Sequence, residues 1–280
     1  MIRGILSECR KICHWPYVLL SVAGIACLGV CSTVYDPSGT QTTLLELAWR
    51  LRAGSVTPDI SMSVPVIWQQ GLGGWLALFA PLLVSFGYVV TLSSERQNGQ
   101  MKFELIRGGI FRYCVSRITG GALCCGVMFL AGYALFGLLL KLFFPAFSSF
   151  GAEEQWMYLG FRPGNSLTLF CACRLAGAFF FGVFAGISGI GVSVFLEDKY
   201  MLVCLPFLAN YIYQQVLQKA VSEKYASGAG SAPWLEAFFP ASFANLSADR
   251  YWAVSVLVLG ILYCGIAFAF RVRLKRGRIF

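Results

Sequence analysis

Six charge-free apolar runs, each close to the length of a bilayer crossing, constrain this chain more than any other feature. They fall at about residues 15–35, 71–94, 118–140, 175–196, 200–218 and 251–270, and none contains Asp, Glu, Lys or Arg. Some 20 consecutive apolar residues make an α-helix long enough to cross the hydrocarbon core. In that medium backbone N–H and C=O groups are satisfied within the segment, which selects the helix for runs of this length. Only 12% of the residues are charged, against about 25% in a soluble domain. The reading is an all-α polytopic membrane protein, residues 1–280 forming a single transmembrane domain with six spans.

The segments between the runs set the organisation. Residues 1–14 read as an interfacial helix, with Ile2, Ile5, Leu6, Cys9, Ile12 and Cys13 on one face and Arg3, Ser7, Arg10 and Lys11 elsewhere. Such a helix lies in the membrane surface with its basic side towards headgroups. Leu44, Leu45, Leu47, Ala48 and Leu51 predict a short amphipathic helix in the first outer interval. Residues 95–117 form a polar segment in which Met101 to Ile106 predict a short helix, stopped at Gly108-Gly109. Residues 219–250 form an outer loop, whose part 233–246 is apolar without span length and is read equally as half-buried outer helices or as a plain loop. Residues 271–280 form a basic tail.

Charge gives the orientation. With both termini inside, fourteen of the 22 Lys and Arg residues lie in inner segments, together with five of the 13 acidic residues, so the whole net charge of +9 lies on that side. The positive-inside rule therefore places both termini in the cytoplasm. The basic balance is a topology signal and not a nucleic-acid footprint. The eleven cysteines lie mostly in apolar runs without paired C-x-x-C motifs, and are read as small apolar residues with no metal site.

Several chemistries are excluded. One histidine cannot supply H-E-x-x-H, and no G-x-x-x-x-G-K-[ST] is present, so the chain is not read as an enzyme with its own ATPase motif. The uncharged spans and the lack of a repeated half count against a secondary carrier. Asn210, Gln214 and Gln218 recur every fourth residue, on a face that either lines a pathway or bonds across a helix interface. Ala178, Gly182 and Gly186 form a small-x-x-x-small stripe suited to close helix packing.

The interval after the second run carries a resemblance. Glu95, Arg96, Gly99, Leu105-Ile106, Gly109 and Arg112 stand in the order found after span 2 in the membrane subunits of type-2 ATP-binding-cassette transporters. Gln100 stands where a threonine is frequent, and Arg117 where a lysine often lies. The resemblance covers the whole chain as architecture and residues 95–117 as motif. It implies a permease subunit of an exporter in a bacterial plasma membrane, moving a peptide, lipid or antibiotic-like substrate. It further implies a second permease copy or related permease, and a separate cytoplasmic ATP-binding subunit that uses ATP and Mg, with no cofactor bound by this chain. The ATPase-coupling residues it implies are Glu95, Arg96, Gly99, Met101, Lys102, Glu104, Leu105, Arg107 and Arg112. Glu104 and Arg107 would touch the ATPase, and Glu95 would anchor span 2 against the N-terminal helix. The alternative is a membrane scaffold or regulatory protein that transports nothing.

Overall fold

The computed structural model describes residues 2–12, 15–35, 40–147, 167–196, 198–226, 235, 238–239 and 251–275. The reading of 233–246 as half-buried outer helices falls, apart from 235 and 238–239, outside the described residues, as does the second half of the basic tail, 276–280. Ten helices carry the described fold: α1 Ile2–Ile12, α2 Trp15–Val30, α3 Leu44–Arg52, α4 Val64–Gly71, α5 Trp75–Gln97, α6 Gln100–Gly108, α7 Ile110–Leu140, α8 Leu167–Ser193, α9 Lys199–Ala226 and α10 Tyr251–Lys275.

Three described helices are long and apolar enough to cross a membrane: α7, α8 and the stretch Val256–Lys275 of α10. Two bent pairs pass the same test together, α1 with α2 at 79° and α4 with α5 at 64°, giving up to five. The fifth run forms α9, which is 28 residues long. Its Asn210, Gln214, Gln215 and Gln218 keep it below the apolarity of the others.

The helix bounds differ from the apolar runs where backbone chemistry intervenes. The first run continues to Tyr35, but α2 stops at Val30. Thr33–Tyr35 (β1) instead pairs antiparallel with Gln41–Thr43 (β2), Thr33 opposite Thr43 and Val34 opposite Thr42. These are β-branched positions, which favour extended backbone. The fold is thus helical with one two-stranded ribbon. Thr43 closes the ribbon and also caps α3, its hydroxyl accepting from the Glu46 N–H. The second run starts as a helix at Trp75, because the chain breaks after α4 at Gly73-Gly74. The third run, 118–140, is entered without a break, because α7 starts at Ile110 and carries the basic end of the polar segment directly into the apolar one.

α7 is the hub, contacting α1, α2, α4, α5, α6, α8 and α10. Lipid tails are as apolar as leucine, so helices in a bilayer associate through close packing more than through the hydrophobic effect. Glycines on α7 provide that closeness. A Cβ at Gly121 would sit 2.5 Å from the Tyr88 ring, at Gly126 2.7 Å from Phe179, and at Gly132 2.7 Å from Ile25. Across the α7–α8 seam, Gly182 and Gly186 face Phe129 and Cys125, with 2.5 Å left to a Cβ at each, and Ala178 is fully buried one turn earlier. Gly182→Leu is therefore expected to destabilise by about 1–3 kcal/mol or more through overpacking. Gly260→Leu on α10, where a Cβ meets nothing within 4 Å, is expected to leave the melting temperature in detergent nearly unchanged.

Candidate functional site

Glu8 lies on the buried face of α1 although it is charged: it is three residues after Ile5 and four before Ile12. Only 5% of it is exposed. A buried carboxylate needs a cation and hydrogen bonds to be tolerable. α7 supplies them from Arg117, which is 2% exposed. The Arg117 guanidinium donates through Nη1 to Glu8 and through Nη2 to Glu95 at the end of α5. Gly120, one turn further along α7, leaves room for this approach: a Cβ there would lie 2.9 Å from Glu8 Cβ. Tyr88 completes the lining, its hydroxyl donating to the Arg117 carbonyl at 3.1 Å and its ring centroid 5.9 Å from the guanidinium carbon.

Lys11 extends the network outwards. It reaches Glu8 at 3.2 Å and Glu95 at 3.5 Å, and pairs with Glu104 on α6. Three carboxylates and two cations thus join four helices, α1, α5, α6 and α7, with one excess negative charge. Burial disfavours the Lys11 ammonium. The bond to Glu104 and the fields of Glu8, Glu95 and Glu104 outweigh it and hold its pKa above the ordinary 10.5.

α6 is bracketed by two left-handed glycines, Gly99 (φ 68°) and Gly109 (φ 73°), conformations other residues adopt at a cost. Both ends of the nine-residue helix therefore turn sharply. Met101 is buried against Tyr113, Cys114, Val194, Phe270 and Leu274, with Leu105 packed beside it. Phe103 and Ile106 point away, 70% and 82% exposed. Of the residues the resemblance implies, Glu95, Met101, Glu104 and Leu105 are therefore gathered inwards. Glu104, named above as a partner contact, is engaged by Lys11. Arg112 is exposed on the first turn of α7. The side chains of Arg96, Lys102 and Arg107 lie outside the described set. The sequence names no role for Glu8 and places Lys11 on the side facing the headgroups. In the structure Lys11 turns inwards to Glu8, Glu95 and Glu104, and Arg117, a motif position in the sequence, is the centre of the network. The signal was a lone acid on the apolar face of α1, with a lysine three residues on.

The polar stripe of α9 has a different use. Pro81 inside α5 has no N–H, so the Ala77 carbonyl four residues earlier loses its helical donor. Asn210 Nδ2 donates to that carbonyl at 3.1 Å and to Leu78 O at 3.3 Å, and Gln214 Nε2 reaches Ala77 O at 3.5 Å. Asn210 and Gln214 therefore bond across a helix interface, and Gln218 is exposed. Among the described residues no group of three or more His, Cys, Asp or Glu is placed to hold a metal ion.

No protein-family description, curated protein or solved structure matches this chain.

Breaking a buried ion pair from one side leaves an uncompensated charge and costs about 3–5 kcal/mol. Arg117→Ala is expected to fall in that range by denaturant unfolding in detergent. Glu104→Gln, at the half-exposed end, should cost at most about 1 kcal/mol. The Lys11 contribution has an alkaline signature. A raised lysine pKa stabilises fully below the unfolded value near 10.5 and is lost as pH rises through the folded value. The melting temperature of native protein should therefore drop more steeply above pH 10.5 than that of Lys11→Met.

Proposed function

We propose that this chain is the membrane permease subunit of an ATP-binding-cassette exporter, with ATP hydrolysed by a separate cytoplasmic subunit. In this reading α2, α5, α7, α8, α9 and α10 are six spans of a plasma-membrane protein, and both termini and α6 face the cytoplasm. α9 is admissible as a span because the amide N–H groups of Asn210 and Gln214 donate to α5 carbonyls, which lowers the cost of burying them in lipid. A second copy or a related permease completes the pathway, and the substrate is peptide-, lipid- or antibiotic-like.

One observation carries the proposal. α6 is a nine-residue helix fixed on its inner side to three other helices, and its outer side shows Phe103 and Ile106 to solvent. Large apolar side chains exposed together on a short polar segment mark an interaction site. A soluble ATPase that receives them would displace α6, and Lys11, Glu8 and Arg117 would carry the displacement to α1 and α7. Charge specifies such docking more than it strengthens it; here the apolar pair supplies the contact area.

The experiment is a mild-detergent purification from the native cell, with the accompanying proteins identified and ATP hydrolysis assayed in nanodiscs. A stoichiometric soluble ATPase is expected, lost from the Phe103→Asp/Ile106→Asp variant while its melting temperature stays within a few degrees of native. Native protein that carries no ATPase in detergent or nanodiscs would overturn the proposal in favour of a scaffold.

A further inference from the structure

The end of α7 opposite the ion network borders a cavity of about 630 Å³, within the range of small-molecule sites. Its walls come from Val64 and Trp68 of α4, Gly137 and Lys141 at the end of α7, and Leu167 and Cys171 at the start of α8. The walls are fixed. Trp68 Nε1 donates to the Tyr133 carbonyl at 3.1 Å, and Tyr133 Oη donates back to the Trp68 carbonyl at 2.7 Å, with the two rings stacked at 4.9 Å. Gly137 accepts the Trp68 indole where a Cβ would be 2.9 Å away. The Val64 N–H donates to Pro145 O at 3.3 Å, tying α4 to the turn after α7.

The lining is apolar except for Lys141. That lysine is the C-cap of α7 and is exposed, and among the described residues no carboxylate pairs with it. A helix C-terminus carries about half a negative charge, which the lysine more than offsets. Arg174, one turn beyond Cys171, adds a second cation behind the wall, buried with its guanidinium carbon 5.1 Å from the Phe170 ring centroid. Asp59 lies nearby in sequence with Ile60, which packs on Phe147, but its carboxylate accepts from Ser61 at 2.7 Å and does not line the cavity.

We propose that this cavity binds the acyl chain of an acidic phospholipid, with Lys141 holding the phosphate. α7 ends at Leu140, so the cavity lies beside its last two turns and the lysine stands where a span reaches the headgroups. An acyl chain gains little by moving from neighbouring tails to an apolar wall. Selection among lipids therefore falls on the headgroup, and the one cation in the lining favours a net negative one. The inference requires α7 to cross a bilayer and is independent of any ATPase partner.

The test uses full-length protein, delipidated by detergent washing and titrated with phosphatidylglycerol or phosphatidylcholine of matched chains, with bound lipid counted by native mass spectrometry. One phosphatidylglycerol per chain is expected at roughly tenfold lower concentration than phosphatidylcholine. Lys141→Glu, at an exposed position that leaves the fold intact, should abolish the preference. Ala134 of α7 also lines the cavity, so Ala134→Phe should fill it and displace the lipid. Lys219→Glu, exposed on α9 away from the cavity, should leave binding unchanged. Equal retention of both lipids overturns the proposal, as does a Lys141→Glu or Ala134→Phe protein that binds phosphatidylglycerol like native. So does a Lys219→Glu protein that loses the preference, because the attraction would then be diffuse.

Discussion

Placing a guanidinium almost out of reach of solvent costs several kcal/mol, and the way Arg117 is compensated organises the whole α1 end of the molecule. No single helix could provide the compensation. Glu8 comes from α1, Glu95 from the end of α5, and the aromatic wall from Tyr88, also on α5. The arginine is tolerable only when both α1 and α5 are packed on α7, so α1 is bound to the bundle by charge as well as by its apolar face. Its Lys11, on the next turn from Glu8, then brings in Glu104 and with it α6. The one excess negative charge rests on a cluster graded from buried at Arg117 to half-exposed at Glu104. Movement is therefore cheapest at the α6 end and most resisted at α7.

The rest of the bundle is held by shape. Residues without side chains on α7 and α8 meet rings or branched chains from their neighbours, and the same arrangement recurs where Phe136 sits against Gly29 and Gly71. α10 differs. Its Gly260 and Gly265 face open space, and Val256, Leu257, Ile261 and Phe268 are exposed. Such a face is stable in lipid or against another apolar surface. The bundle therefore has a tightly interlocked side around α7 and a loosely joined side at α10.

What could be read from the sequence follows from how local each cause is. Helicity of the long apolar stretches is local, since the solvent alone demands it, and the glycine stops around α6 are local for the same reason of backbone geometry. The ribbon at Thr33–Tyr35 was hidden because an apolar run gives no sign of where β-branched residues win over helix. The ion network was hidden because it joins residues 8, 11, 95, 104 and 117, and periodicity places each on a face without saying what that face meets. For Glu104, the resemblance implies an outward partner contact. A lysine 93 positions earlier in the chain turns it inwards, and leaves Phe103 and Ile106 as the exposed pair.

Asn210 and Pro81 show the same limit from the other direction. Each is unfavourable when judged alone in an apolar helix. A proline deletes a backbone donor, and an amide side chain loses its water. They lie 129 positions apart, so no local rule relates them. Brought together, the carbonyl that Pro81 leaves open accepts the amide that α9 has to bury, and two costs partly cancel at one contact. The polar stripe that makes α9 the least apolar of the long helices is thus tied to the kink-prone turn of α5. The residues that blur the reading of α9 as a span are the ones that fix it to its neighbour.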